Sequence, residues 1–352
     1  MSIPSIPSAR LRPDAARVSG TILLGILIAI WSTSARAQSC DRIMEQDSTL
    51  NNFVDPPQYL TAALGTLGDV KRDGTGPQPM ILIPGLGFGG DVFDDFMASH
   101  TGEFTMYAVT LPGFGGTQAP PSPSAATSFG DLTWTNGALV AIESLIESEG
   151  MVKPIVVGHW LTGTQLALRL ALKQPGTIKA VIILAGSTRF VPTDTTHWPS
   201  QMPLARRVAG IDQYMAPRWF KTVTRETWDD NNFLPGDYAV NPVRGLRLWR
   251  EAAEPPLHVW VRYLCEFHAQ DVSLELGGLT VPTLVLKPGL DSVYHDPGNN
   301  YMVAYCHSGW DKPATENPRI SIVTIPDSRA CLWLDQPDKV NAAIADFLSH
   351  IM

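Results

Sequence analysis

The order of apolar and amphipathic segments along the 352-residue chain constrains its fold more than any other feature. Short apolar runs, which are typical of buried strands, alternate with longer segments in which apolar residues have helical spacing. The runs span residues 80–83, 106–111, 154–157 and 178–184, and the helical segments span 132–149 and 163–173. Such alternation predicts a mostly parallel, doubly wound sheet that is covered by helices on both faces.

The alternation stops between about residues 187 and 276, where tryptophan, proline and arginine are frequent. It resumes with predicted strands at 281–286 and 320–325 and a closing helix at 337–351. We therefore predict an α/β domain with a helical cap inserted before its last two strands. The cap tryptophans are expected mainly in the cap core, with one or two lining a cleft; they are Trp198, Trp219, Trp228, Trp249 and Trp260.

The first 37 residues have the features of a secretory signal peptide. Arginines precede an apolar run at residues 21–31, and Ala35-Arg36-Ala37 follows as a small-residue cleavage site. The run is about half of the roughly 20 residues that a membrane-spanning helix needs, so an uncleaved anchor is disfavoured. Acylation of Cys40 is also disfavoured, because the residues before it lack the usual processing pattern. We expect an exported protein, periplasmic or secreted, with a lead-in at 38–77 and a domain at 78–352.

Charge and cysteine content limit the partners and the covalent chemistry. Removing residues 1–37 takes away four arginines and one aspartate, so the net charge changes from −8 to about −11. An acidic chain without a Lys/Arg cluster is a poor partner for nucleic acid. The four cysteines, Cys40, Cys265, Cys306 and Cys331, allow up to two disulfides after export, and buried free thiols are the open alternative.

The segment Val156-Val157-Gly158-His159-Trp160-Leu161-Thr162-Gly163 lies between a predicted strand and a predicted helix. This is the setting of the nucleophile elbow, G-x-S-x-G. From about residue 78 to the C-terminus the chain resembles the α/β-hydrolase superfamily, most closely its capped esterase, lactonase and peptidase-like branch. The resemblance places the nucleophilic serine at Trp160, and Thr162 departs from the second small residue of the motif. An unrelated core turn is the alternative.

The resemblance also implies positions for the acid and the histidine of a triad. The acid is expected at Asp291, after the strand that follows the cap, with Asp296 in reserve; a turn role is the alternative for Asp291. The histidine is expected just before Leu332-Trp333-Leu334-Asp335-Gln336-Pro337, where Ala330 stands, and no histidine occurs between His307 and His350. Cys331 is adjacent but lacks a base, so a buried thiol is expected there.

Other groups retain part of the implied machinery. The resemblance assigns the two oxyanion-hole donors to the backbone N–H groups of Leu86 and Leu161, which do not depend on side-chain identity. His159 is expected to pack away from the pocket, whereas His295 and His307 could reach the cleft only through loop geometry. A small acyl-type molecule is the expected ligand, and no cofactor is expected.

Two other classes fit less well. Gly85-Leu86-Gly87-Phe88-Gly89-Gly90 matches G-x-G-x-x-G after a strand, but residues 109–111 at the end of the next strand lack the acid that holds a ribose. A metal hydrolase is disfavoured, because no two histidines have ligand spacing on one helix.

Two hypotheses remain for the function. In the first, the chain is a hydrolase framework without a working triad, since Trp160 has no nucleophile and Ala330 has no base. In the second, Asp291 and a cleft histidine form a different active site that needs no covalent intermediate. The first is preferred because family motifs surround both altered positions.

Overall fold

The fold is taken from a computed structural model of the chain. It describes residues 63–190, 202–224, 226–227, 233–291, 294 and 301–351. Several positions named above lie outside these ranges, namely the predicted signal peptide, Cys40, Trp198, Trp228, His295 and Asp296.

A seven-stranded sheet forms the centre of the molecule, in the order β1-β3-β2-β4-β5-β6-β7. All neighbouring strands are parallel except β1 and β3, which are antiparallel. The mostly parallel sheet predicted from the alternation is thus confirmed. The strands are β1 (Asp69–Asp73), β2 (Gln78–Ile83), β3 (Phe104–Thr110), β4 (Ile155–His159), β5 (Ala180–Leu184), β6 (Thr283–Gly289) and β7 (Ile320–Pro326).

Helices flank the sheet and fill the long connection between β5 and β6. Those of the α/β framework are α1 (Asp94–Ser99), α2 (Thr133–Ser148), α3 (Trp160–Lys173), α9 (Tyr301–His307), α10 (Asp311–Glu316), α11 (Leu332–Asp335) and α12 (Pro337–Ser349). Those between β5 and β6 are α4 (Leu204–Gly210), α5 (Ala216–Thr222), α6 (Pro235–Tyr238), α7 (Pro242–Ala253) and α8 (Leu257–His268). Among the described residues none of these helices has the length and apolar character of a membrane span.

The segment at 69–73 differs from the prediction. Asp69–Asp73 was assigned to the lead-in before the domain, but it forms β1 at the edge of the sheet, paired with β3. Its sequence, DVKRD, is charged and mostly exposed because an edge strand is paired on one side only. A strand of this kind has no apolar run by which the sequence would reveal it.

The central strands place the site. All five residues of β4 are buried, as expected for a strand that is covered on both faces. Because β2, β4, β5, β6 and β7 are parallel, the loops that follow them leave from the same edge of the sheet. Ligands of open α/β sheets bind outside this edge, at the carboxyl ends of the strands.

Candidate active site

The junction of β4 and α3 has the sharp geometry expected of a nucleophile elbow. The backbone φ angles are +35° at Trp160 and +42° at Leu161, a region that side-chain-bearing residues rarely adopt. Two glycines make the turn possible. A Cβ on Gly85 would lie 3.0 Å from the Cβ of Trp160, and one on Gly163 would lie 2.5 Å from the carbonyl oxygens of Ile83 and Pro84. The start of α3 therefore packs directly against the loop that follows β2.

The side chain of Trp160 fills the space above the elbow. It is 1% exposed, and it meets the rings of Phe233 and Tyr238 edge-on, with centroids 4.6 and 5.6 Å away. Within the described part of the chain its indole N–H makes no hydrogen bond of normal geometry, although it lies close enough to the Cys306 thiol to oppose the rise in that thiol's pKa caused by burial. Aromatic packing rather than hydrogen bonding thus holds the ring in place.

His159, the last residue of β4, connects three loops. Its Nδ1 accepts a hydrogen bond from the Gly85 N–H (3.2 Å), and its Nε2 lies 3.1 Å from the Ala330 carbonyl oxygen. These partners require the neutral tautomer with the proton on Nε2, since Gly85 supplies a donor and Ala330 an acceptor. Complete burial lowers the pKa of His159 to about 3. The imidazole is therefore a structural link and a poor base.

Ala330 lies in the same group of loops as Trp160. Besides its bond to His159, its backbone N–H donates to the Asp237 carbonyl oxygen (3.1 Å), and the Cys331 N–H donates to that of Tyr238 (2.9 Å). The ring of Tyr238 in turn packs on Trp160. The loop assigned to the histidine thus reaches the elbow both through His159 and through the cap helix α6.

The predicted acid, Asp291, is paired with an arginine. Its carboxylate accepts a hydrogen bond from Nη2 of Arg329 at 2.6 Å, and half of its side chain is exposed. The register of β6 and β7, which sets Gly289 opposite Pro326, brings the two loops together. Arg329 directly precedes Ala330, so Asp291 does lie beside the predicted histidine loop. Its role as a triad acid stays a prediction.

A buried carboxylate that the sequence analysis missed lies close by in the cap. Asp237 is 1% exposed and accepts hydrogen bonds from the hydroxyls of Tyr294 (2.5 Å) and Tyr301 (2.7 Å) and from the Leu234 N–H (2.6 Å). Burial raises the pKa of Asp237, and these donors oppose the rise. The sequence signal was only an aspartate in the first turn after Pro235, which ordinarily indicates a helix cap.

Among the described residues, the other histidines and thiols near the site are also hydrogen-bonded or buried. Nε2 of His307 lies 2.8 Å from the Pro288 carbonyl oxygen, and Nε2 of His268 lies 3.0 Å from the Tyr305 hydroxyl. Cys331 is fully buried, and burial raises the pKa of its thiol, which disfavours a thiolate nucleophile. Within the described residues the cysteines are free thiols, namely Cys265, Cys306 and Cys331.

The two backbone positions assigned to an oxyanion hole remain close to the elbow. Leu86 follows Gly85, whose backbone is in contact with Trp160, and Leu161 is the second residue of the turn. Both residues are buried. The buried indole of Trp160 lies between Phe88, in the loop after β2, and the cap rings of Phe233 and Tyr238, so it occupies the space beside these backbone positions.

The glycine-rich loop 85–90 lines a cavity of about 230 Å³ with an acidic wall. Asp91, Glu251 and Glu254 contribute carboxylates to this cavity. Burial, together with the charge of Asp91, raises the pKa of Glu251 to about 7. Such a wall repels the phosphates of a dinucleotide, which further disfavours that use of the loop.

Comparisons with known proteins bear on the family and the fold. The sequence profile of the alpha/beta hydrolase family matches residues 80–343. The pimeloyl-[acyl-carrier protein] methyl ester esterase of Aeromonas salmonicida is 28% identical over 231 residues, which are 64% of this chain and 81% of that protein. The enzyme of the same name from Proteus mirabilis is 26% identical over 152 residues, 43% of this chain and 51% of that one.

Solved structures share the fold at low sequence identity. A bromoperoxidase from Bacillus anthracis superposes with a TM-score of 0.57 at 17% identity, covering 80% of this chain and 94% of its own. A thermophilic esterase from Thermogutta terrifontis gives 0.54 at 19% identity, covering 80% and 93%. At these identities the likeness concerns the fold alone.

Proposed function

Since the chain belongs to the alpha/beta hydrolase family, we propose that it is an exported protein that keeps the framework of a carboxylic-ester hydrolase without the serine–histidine chemistry. The observation that carries this proposal is the indole of Trp160, buried at a left-handed strand-to-helix turn where the family places its nucleophile. An indole offers only a hydrogen-bond donor and cannot form an acyl intermediate.

The polar groups around the elbow support the same conclusion. His159, the imidazole adjacent to Trp160, is committed to Gly85 and Ala330 and is neutral throughout the physiological range. Loss of a triad nucleophile or base typically lowers turnover on the order of a million-fold, and loss of both adds little. Binding and backbone donors alone supply at most on the order of 10³- to 10⁴-fold over water.

The ester class of the ancestral activity is part of the proposal. The curated relatives described above are methyl ester esterases, and the chain covers 81% of the length of the first. The backbone positions at Leu86 and Leu161, which do not depend on side-chain identity, are assigned to an acyl oxygen. A small acyl-type molecule is therefore the ligand class proposed for the framework.

Restoration of the missing groups tests the proposal. The unaltered chain should not react with a fluorophosphonate probe, whereas the double variant Trp160→Ser/Ala330→His should be labelled and should hydrolyse 4-nitrophenyl acetate. Each single variant should regain little labelling and little ester hydrolysis, because serine and histidine act as a unit. Adding Asp291→Asn to the double variant is the matched control, and it should lower the regained activity if Asp291 orients the new imidazole.

Two outcomes would contradict the proposal. Ester hydrolysis by the unaltered chain that is abolished by changing His307, His295 or Asp291 would establish a different active site. A double variant that folds, as judged by circular dichroism, but stays unlabelled would show that Ala330 is not the histidine position.

Export is tested separately by the N-terminus of the mature protein. Cleavage after Ala37 would leave Gln38 as the first residue in the periplasm or medium. An intact N-terminus in a membrane fraction would instead identify the first apolar run as an anchor.

A further inference from the structure

A second group of buried polar side chains lies in the cap, away from the elbow. Arg207, on α4, is 1% exposed, and Gln270, in the bend that follows α8, is 5% exposed. The two residues are neighbours, because Nη1 of Arg207 lies 3.5 Å from the Gln270 carbonyl oxygen, at the outer limit of a hydrogen bond. This group is a pair of donors that come from two different elements of the cap.

Both side chains lack the acceptors that their donors need. Nε of Arg207 and Nε2 of Gln270 are buried and have no hydrogen-bond partner within the described residues. An unpaired buried donor typically costs about 1–3 kcal/mol, and a charged one costs more. Such groups are uncommon in native proteins, and a bound ligand, ion or water is one explanation for them.

The nearest carboxylate does not neutralise Arg207. Asp271 is bonded to Nη1 of Arg189 (3.2 Å) and to the backbone N–H and hydroxyl of Ser273. Asp271 attracts the Arg207 guanidinium only at a distance, and the charge of Arg189 opposes it. Burial lowers the pKa of Arg207 from its high ordinary value, but a guanidinium stays protonated in proteins. Within the described residues no carboxylate therefore forms an ion pair with Arg207.

From this surplus of donors we infer that the cap holds a binding site for a small carboxylate, with Arg207 as its charged anchor and Gln270 as its second donor. The planar fork of a guanidinium matches the two oxygens of a carboxylate, and the amide of Gln270 adds one further donor. A singly charged anion suits a site with one unpaired cation, whereas a phosphate dianion would leave a buried charge unneutralised.

The surroundings favour a carboxylate that carries an apolar group. Burial, together with the nearby charge of Arg207, lowers the pKa of His268 to about 3, so this imidazole is neutral. It packs on Phe190 at 4.6 Å and bonds to the Tyr305 hydroxyl. Tyr305 and Phe233 separate this site from Trp160, so its ligand need not enter the elbow.

Anion titrations of the full-length mature protein test the inference. Acetate, butyrate and hexanoate, added at constant ionic strength, should bind saturably by calorimetry and raise the melting temperature, whereas sulfate and phosphate should not. Arg207→Met should weaken carboxylate binding on the order of 100-fold, as expected for charge-assisted bonds, and Gln270→Met roughly 3- to 10-fold. Arg206→Met is the matched control, since Arg206 is the exposed neighbour on the same helix and should leave binding unchanged.

The same variants also separate a binding role from a structural one. Without added anion, Arg207→Met should be at least as stable as the wild type, because it removes an unpaired buried charge. Failure of Arg207→Met to fold, equal loss of binding in Arg206→Met, or stronger binding of sulfate or phosphate than of carboxylates would each overturn the inference. It does not depend on the proposed loss of catalysis, because none of its readouts involves turnover.

Discussion

The elbow and the Arg207 site are equally buried, yet their polar groups are balanced differently. At the elbow, both nitrogens of His159 have backbone partners, and aromatic rings enclose Trp160. At the cap site, Arg207 and Gln270 carry donors without acceptors. Burial alone therefore does not indicate function. The elbow also holds a buried donor without a normal hydrogen bond, the Trp160 indole N–H, but that donor is neutral, whereas the unpaired Nε of Arg207 is charged. A buried charged donor without an acceptor costs more than a neutral one, so it has the greater need of a ligand.

The two regions also differ in whether the backbone or the side chains suggest a function. Around the elbow, the backbone makes a sharp strand-to-helix turn at Trp160 and Leu161, and the proposal above assigns the loss of the reactive side chains to this turn and the Ala330 loop. In the cap, Arg207 on α4 and Gln270 in the bend after α8 carry unpaired donors that suit an anion. The variants below test this contrast, from the largest expected effect to the smallest.

Removal of the indole should have the largest effect. Trp160→Ala should lower the free energy of unfolding by about 3–5 kcal/mol, because a cavity replaces the ring between Phe233 and Tyr238. Trp160→Phe is the matched control, with the same backbone strain and a smaller loss. Both are measured by urea denaturation. If the free energy of unfolding of the alanine variant falls by less than about 1 kcal/mol, the packing of the cap does not depend on this ring.

Removal of the linking imidazole should have the next largest effect. His159→Ala leaves the Gly85 N–H and the Ala330 carbonyl unpaired, at a cost of about 2–4 kcal/mol in the free energy of unfolding. His100 is the comparison residue, since it is also buried but bonds only within its own turn, to Phe96 and Ser99. If urea denaturation shows the same loss in the free energy of unfolding for His159→Ala and His100→Ala, the linking role of His159 is contradicted.

Acidification should reveal both buried histidines. His159 and His268 have native pKa values of about 3, below the ordinary 6.5, so the stability they contribute is present above pH 6.5 and is lost as the pH falls. Each contributes a slope of about 1.4 kcal/mol per pH unit in that window. Urea denaturation between pH 7.5 and 4.5 should show a shallower slope for His268→Gln than for the wild type.

The contribution of Glu251 to stability depends on pH in the opposite direction, so Glu251 serves as the internal check. Its native pKa of about 7 lies above its ordinary value, so the stability it contributes is present below about pH 4.5 and is lost as the pH rises through 7. Glu251→Gln should therefore steepen the loss of stability on acidification. An unchanged slope in both variants would show that neither group is as buried as described.

The exposed acid should have the smallest effect. Asp291→Asn removes the ion pair with Arg329. Because the Asp291 side chain is half exposed, we expect the free energy of unfolding to fall by only about 0.2–1 kcal/mol. Asp311→Asn is the control, since the Asp311 side chain is fully exposed and lies 3.9 Å from the largely buried Lys287 ammonium. A loss above about 2 kcal/mol for Asp291→Asn would place Asp291 in a tightly packed network, more like that of the elbow.

The sequence predicted the elements whose signals are local. Apolar runs that end in glycine or proline marked the parallel strands, and the segment around Trp160 indicated the turn between β4 and α3. The resemblance, with the spacing to the closing helix, assigned the histidine position to Ala330, and that assignment stays a prediction. Strand β1 was not predicted from the sequence, because its charged residues carry no apolar pattern and only pairing with β3 makes the segment a strand.

Only the tertiary structure decided which polar groups are satisfied. The bond between His159 and Ala330 joins residues 171 positions apart, and Asp237 meets its tyrosine donors across 57 and 64 positions. The sequence alone does not distinguish Arg207 from its neighbour Arg206 or from the other arginines of the cap. Hydrophobic periodicity determines which face of an element is buried, but hydrogen-bond partners depend on the packing of distant elements, and that packing has no local signature in the chain.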